Sequence, residues 1–488
     1  HPLTLTAKPL LNQSRRTQSP VLAHIFVMAA RNLSVADVIL QKMESPVFLY
    51  NDNTPISFTD DLPEAVDVTI IGGGVIGICI AWFLRERGYS VLVCDKGRVA
   101  GEQSSRNWGW VRAMGRDPDE VPIAMEAIGL WEQLSEQLGP GIGFKRGGIA
   151  AFARNEKELA ELEEWLPVAK QYGLNTAMLG SEAANDMISA PQGRWAGVMH
   201  TPSDGRAEPF TAVKTLATAL QARGGLIREA CAVRTIEQQA GNICGVNTEH
   251  GYVKCSSAVV AGGVWSAMFL RNLGITIPQL AVRGTVARTA EAPEILSGAA
   301  GLGDVYLRRR QDGGYTIACE MVEHFIGASS FRHLTKYIPA MFTGSDIRAR
   351  PGKDPTQPWF FSGKWSGEDE TAFERHRVLN PNPSAKALKT MRKNLDKRVP
   401  ELNGVAFTES WGGMIDAMPD IVPVMDKVES TPGLFIATGF SAHGFGIGPG
   451  AGKVMADMIA GDQPRYDLSR FRFGRFSDGS KMRPGPAL

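Results

Sequence analysis

Apolar and polar positions change their period several times along the chain, and each change marks an element. Val66 to Ile71 is β-rich and almost uninterruptedly apolar, as expected of a strand buried on both faces in a parallel sheet. Glycines follow at once. An apolar run through Ala81, Trp82 and Leu84 then predicts a helix ended by Gly88, and Val91 to Cys94 predicts a second strand. Strand, glycine turn, helix and strand in that order predict a βαβ start. Farther on, Met125 to Leu138 and Glu156 to Tyr172 predict helices, and Phe144 to Phe152 predicts a glycine-punctuated strand. Phe210 to Arg223 predicts a helix whose first turn tolerates Pro209. Strands are expected at Val233 to Ile236, Gly245 to Thr248 and Ala258 to Val260, a proline-rich loop at Ile347 to Pro358, and a helix at Ser384 to Leu395.

The chain has 488 residues, more than the ~250–300 at which one core stops growing, so two domains are expected. Its 43% hydrophobic and 21% charged residues are ordinary for a globular protein. Fifty-two basic against 51 acidic residues argue against nucleic-acid binding as a main task. No apolar run reaches the ~18–20 residues of a transmembrane helix. The six cysteines form no C-x-x-C pair and lie mostly in apolar runs, which fits a reducing compartment such as the cytoplasm. No metal-spaced His or Cys cluster is visible. The first 36 residues carry Lys8, Arg15, Arg16 and Arg31 but no acid. They read either as an organellar presequence or as a translated upstream leader, and residues 1–60 are expected to lie outside the fold.

Gly72-Gly73-Gly74-Val75-Ile76-Gly77 fits G-x-G-x-x-G between the first strand and its helix. Gly72 makes the tight turn, Gly74 lets a pyrophosphate approach the backbone, and Gly77 lets the helix sit close to the strand. Free N–H groups at the start of that helix favour phosphate. Asp95, 18 residues after Gly77 and beside Lys96, is placed to accept the ribose hydroxyls of an unphosphorylated adenosine. Ser104, Ser105 and Arg106 suit pyrophosphate and ribityl oxygens, or form an ordinary polar loop. Near the other end, Thr438 to Gly450 contains Gly444, Phe445, Gly446 and Ile447 and reads as a second glycine-rich loop feeding a helix at Val454. Backbone donors there would stabilise negative charge on a flavin ring, which NAD does not need.

Together these segments resemble the D-amino acid oxidase-like superfamily of FAD-dependent amine and amino acid oxidoreductases, from about Val66 to Phe473 and in the family's order. Further matching pieces are Asp204 to Pro209, Val233, Val259 to Ser266 with Ala261, Gly262 and Trp265, Trp411 to Asp420 with Gly413, and Pro432 to Leu434. Within the superfamily the chain looks most like the L-amino acid deaminases. The resemblance implies an α/β composite: a Rossmann-like FAD-binding domain from 61–115, 200–275 and 405–475, a substrate domain on an antiparallel sheet from 116–199 and 276–404, and a tail at 476–488. It also implies an amino acid or amine substrate, hydride transfer to flavin N5, and oxygen or a quinone as acceptor. FAD is expected to be noncovalent, because the last cysteine is Cys319. Alternatives are an NAD(P)H-linked flavin hydroxylase or reductase and a non-catalytic FAD-binding assembly factor.

By the same resemblance Arg308 is the carboxylate clamp. It would share a strand face with Tyr306 and Arg310, unless these are a solvated basic strand end. Asp416 stands where many relatives carry a second arginine, and either pairs with a cationic substrate side chain or caps a turn. Trp108 and Trp110 suggest an aromatic wall above the flavin or core filling. His443 reads as a packing or hydrogen-bonding residue. No side chain is assigned as a base.

Overall fold

A computed structural model describes residues 50–188, 194–341, 347–351, 363–483 and 485 of the chain. The apolar run Ala65–Ile71 is an interior strand of an eight-stranded sheet. It pairs in parallel with Val91–Cys94 on one side and Gly251–Val260 on the other, and Leu226–Arg228 and Leu434–Thr438 extend the parallel set. A strand there is covered on both faces, which is why it lacks polar alternation. Ile71 lies opposite both Cys94 and Val260, so three carboxyl-terminal strand ends meet along one edge.

The helix Val75–Glu86 is apolar almost all round, and ten of its twelve residues are buried. It packs against Pro209–Ala222 and Gly444–Ala460, and the latter also touches Val121–Leu138. Small residues set that spacing: a Cβ on Gly452 would come within 2.5 Å of Cys79 Cβ.

The second sheet has ten strands, mainly antiparallel. Its spine is Leu280–Thr289 paired with Phe407–Ala417, starting with Leu280 opposite Ala417. Tyr315–Ala318, Tyr306–Arg309 and Ala299–Gly301 lead on to Ile149–Ala153, Gly197–Thr201 and Ala177–Gly180. Trp110–Val111, Gly205–Arg206 and Lys145–Arg146 form a small third sheet. The result is the mixed α/β fold expected from the sequence, a Rossmann-like cofactor-binding part accompanied by an antiparallel sheet.

Several local expectations are corrected. Tyr50 to Asp60 belongs to the fold: Phe58 is buried, the Tyr50 and Thr54 carbonyls accept from Arg106 and Arg98, and the Ser57 N–H donates to Glu229. This irregular segment is held by side chains distant in sequence, so no apolar period announces it. Phe407–Ala417, expected among the cofactor-domain segments, belongs to the second sheet, where it pairs along the whole of Leu280–Thr289. Glu156 to Tyr172 is two helices, Glu156–Glu163 and Leu166–Gln171, because Pro167 can begin a helix but not continue one. Gly147 and Gly148 divide Phe144 to Phe152 into strands of different sheets, Gly148 at φ +72°. Ile347–Arg350 is a strand parallel to Val322–Phe325 rather than a loop, while 352–358 lies outside the described residues. The helix expected from Met125 starts a turn earlier, at Val121, and Ser384 caps the helix Ala385–Arg398 through the Ala387 N–H.

Candidate active site

The converging strand ends open into a cavity that runs from the glycine turn to the second sheet. Gly72 has φ +116°, and a Cβ there would stand 2.5 Å from the Ala261 carbonyl oxygen. At Gly77 a Cβ would come within 2.0 Å of the Gly72 carbonyl oxygen, so turn and helix meet backbone to backbone. Gly77 itself does not face the cavity; Gly72, Gly74, Val75 and Ile76 do. The Val75 N–H donates to Ser104 Oγ at 2.8 Å. Asp95 lines the wall, its two oxygens accepting from the Gly73 and Gly97 N–H groups at 2.8 and 2.7 Å. Burial pushes its carboxyl up to about 6, against the pull of Lys96 and those amides.

Lys96, Val233, Ala261, Gly262, Trp265 and Gly413 also line the cavity. The Lys96 ammonium stands 4.2 Å from the Trp265 ring centroid. Glu102 joins this corner by accepting from Lys96 at 2.6 Å, from the Trp265 indole at 3.0 Å and from the Leu379 N–H at 3.0 Å. Glu102 is not among the residues expected from the sequence, because its partners Trp265 and Leu379 lie far along the chain. Ser105 turns away, its hydroxyl donating to the Glu102 carbonyl at 3.2 Å. Arg106 faces the cavity, but it donates to the Gly412 and Tyr50 carbonyls and to Asn380 Oδ1. It therefore stitches three segments together around the site.

The glycine run near the carboxyl end is already helical from Gly444, not a loop. Gly444 and Phe445 line the cavity in the first turn, whose N–H groups lack intrahelical partners. Gly446 and Ile447 do not reach it. A Cβ on Gly446 would stand 2.9 Å from the Trp110 carbonyl oxygen, and Ile447 belongs to the core. These residues serve packing.

At the far end Trp108 and Trp110 both line the cavity. Trp108 stacks on Tyr306 with centroids 4.8 Å apart, and Trp110 meets both rings edge-on. Tyr306 supports this wall from behind and hydrogen-bonds Glu320, which does line the cavity. Arg308 is 1% exposed and does not reach the cavity. Its Nε donates to the Trp108 carbonyl at 2.6 Å, Nη1 to Glu208 at 2.9 Å and Nη2 to Thr316 Oγ1 at 3.1 Å. The expected clamp is thus already saturated by protein acceptors, and what it holds is the Trp108 turn. Asp416 borders the cavity but caps a turn, accepting from the Gly439 and Phe440 N–H groups at 2.8 and 3.3 Å.

Arg112 and Arg116, not anticipated from the sequence, line the same end of the cavity, as does His443. His443 bonds Glu120 through Nδ1 at 3.0 Å, and burial among arginines holds its imidazole neutral. Burial raises the Glu120 carboxyl to about 7. Trp110 Nε1, Arg116 Nε and Nη1, Glu120 Oε1 and His443 Nε2 are all buried here without a hydrogen-bond partner. Donors and acceptors left unpaired at one cavity end call for a partner, whether an ordered water or a ligand. No local pattern in Arg112 to Glu120 signals this, because the partners that bury the segment, Asp204 and His443, lie far along the chain.

Glycine backbone at Gly72 and Gly77, the Asp95 carboxylate, and two helix amino-terminal turns facing one cavity fit a flavin dinucleotide. A family model described as FAD dependent oxidoreductase matches residues 67–458. Glycine oxidase of Pseudomonas putida is 24% identical over 82% of this chain and 96% of its own. The 4-methylaminobutanoate oxidase (formaldehyde-forming) of Paenarthrobacter nicotinovorans is 26% identical over 86% of this chain but 46% of its own, so the chain spans about half of that relative. Among solved structures, L-amino acid deaminase from Proteus myxofaciens in complex with anthranilate superposes with a TM-score of 0.83 at 29% identity, over 86% of this chain and 96% of that one. The chain therefore belongs to the DAO family of FAD-dependent oxidoreductases.

Proposed function

We propose that the protein oxidises the C–N bond of an amino acid or N-substituted amino acid. The carrying observation is a single cavity with a dinucleotide-binding turn at one end and, at the other, an aromatic wall beside two arginines. Gly72, Gly74, Val75, Asp95 and Ser104 would hold the pyrophosphate and ribose of FAD, and Gly444 and Phe445 would offer helix N–H groups to its ring. When bound, FAD supplies the acceptor for the two electrons that leave the substrate α-carbon. The α-amine becomes an imine with loss of a hydride and a proton, and water hydrolyses the imine to a keto acid and ammonia or an amine.

The chain's part is orientation. Trp108 and Trp110 exclude water and fix the plane of approach, and alignment of the α-hydrogen supplies much of the rate. No side chain here is asked to act as a base: the amine gives its proton to water. Oxygen or a quinone reoxidises the enzyme, and the cytoplasm is the proposed place of action. Among the described residues no helix is long and apolar enough to cross a membrane.

The test is anaerobic. Purified protein is expected to be yellow, and a panel of L-, D- and N-methyl amino acids is expected to include one that bleaches the flavin band. Bleaching by NAD(P)H instead would identify a reductase, and FAD that no substrate reduces would identify a scaffold. Peroxide formation in air, compared with reduction of a quinone analogue, assigns the acceptor.

A further inference from the structure

We infer that Arg112 and Arg116 take the substrate carboxylate and form the anion-recognition end of the cavity, the task expected of Arg308. The inference rests on the amino acid reading above. Arg116 is 5% exposed and lines the cavity, yet its Nε and Nη1 have no hydrogen-bond partner. A carboxylate meets a guanidinium with two parallel hydrogen bonds along its Nε–Nη2 or its Nη1–Nη2 edge, and in Arg116 each of these edges carries one of the unpaired nitrogens. Arg112 lines the same wall, donates to the Met114 carbonyl at 3.1 Å and stands 5.4 Å from the Trp110 ring centroid.

The nearby acids do not neutralise the pair at contact distance. Asp204 spends its oxygens on the Ala113 and Met114 N–H groups, at 2.9 and 3.2 Å, which fixes the turn that carries both arginines. Glu120 is bonded to His443. Burial and the neighbouring Arg112 lower the Arg116 guanidinium to about 9, still cationic at neutral pH. Arg308 offers the contrast, since each of its three nitrogens already donates to a protein oxygen. An anion entering the cavity meets Arg112 and Arg116, and a ligand without one leaves buried guanidinium groups unsatisfied. Carboxylates are therefore selected over isosteric amides and simple amines.

The experiment titrates the FAD-loaded enzyme with benzoate and with its uncharged isostere benzamide, following flavin absorbance and tryptophan fluorescence. Wild type is expected to prefer benzoate. Arg112→Met and Arg116→Met are expected to retain FAD and to bind benzoate about 30-fold more weakly, with benzamide unchanged, in line with loss of a charge-assisted pair. Guanidinium ion is expected to restore benzoate binding to Arg116→Ala, a rescue that a purely structural role would not give. If Arg116→Met does not fold, the Ala rescue and Arg116→Lys, expected to retain part of the preference, decide the matter. Benzoate affinity within about threefold of wild type in both Met variants overturns the inference. So does equal binding of benzamide by wild type, or loss of FAD from a variant with an unchanged melting curve. Arginine-dependent benzoate binding with no amino acid able to bleach the flavin would refute the proposed function alone. Amino acid bleaching with benzoate indifferent to both arginines would refute this inference alone.

Discussion

Arg308 and Arg116 are both buried arginines, and their hydrogen bonding differs completely. Arg308 has Glu208, Thr316 and the Trp108 carbonyl around it. Arg116 faces the cavity with two nitrogens unmatched. A saturated cation holds the protein's own chain in place, whereas an unsatisfied one on a cavity wall is available to a ligand. The same contrast separates the two ends of the cavity. At the dinucleotide end Asp95, Ser104, Lys96 and Glu102 are locked by bonds to the protein. At the far end Trp110, Arg116, Glu120 and His443 keep polar atoms unpaired.

The largest way to break this contrast is Arg308→Ala. It takes from Glu208 the nearer of two arginines, leaving Arg206 at 3.4 Å, and strips the Trp108 carbonyl and Thr316 of a buried donor, so a loss of roughly 3–5 kcal/mol is expected in urea denaturation. The preference of the folded fraction for benzoate over benzamide is expected to be unchanged; a collapse of that preference in a protein of undiminished stability would return the clamp to Arg308. Next comes Gly77→Val, whose side chain must displace the Gly72 carbonyl. A loss of roughly 3 kcal/mol is expected, with a falling ratio of bound flavin to protein.

Asp95→Asn should weaken FAD by about tenfold or more, the worth of a charge-assisted hydrogen bond. The pH dependence has a definite sign. Burial raises the Asp95 carboxyl to about 6, so the ionised form that accepts ribose hydroxyls is present above pH 6 and lost below it. FAD affinity measured by fluorescence should fall as the pH drops through 6 in wild type and stay flat across that range in Asp95→Asn.

Smaller is Asp416→Ala, which removes a cap from the Gly439 and Phe440 N–H groups and should cost about 1–2 kcal/mol by thermal denaturation. Basic and neutral amino acids should keep their ratio of kcat/KM. A selective loss of the basic ones would make Asp416 a substrate contact. Trp110→Phe keeps an aromatic ring but removes the unpartnered indole N–H, and a change of only a few-fold in KM is expected, read from steady-state rates.

Much of the cofactor end was legible because its information is local. Gly72 to Gly77 and Asp95 lie in one strand, turn, helix and strand unit, where backbone geometry dictates residue type within a few positions. The strand ends that close over the turn, Ala258 to Val260, were readable by their apolar runs. The glycines near Gly446 differ in that their cause is not local. A glycine demanded by a neighbouring helix or by the Trp110 carbonyl looks the same in sequence as one demanded by a loop.

By itself, then, the sequence determined the βαβ start, the dinucleotide turn, the order of segments and with it the family of FAD-dependent oxidoreductases. Only the tertiary structure decided that Arg308 is an internal brace, that Asp416 is a cap, and that Arg112 and Arg116 face the cavity. The physical reason is that a side chain's role follows from which partners reach it. Arg308 meets Glu208 and Trp108 from segments 100 and 200 residues away, while Arg116 finds none for two of its nitrogens. Pairing across such distances is fixed by the packing of two sheets, and no local pattern of hydrophobic and polar positions encodes it.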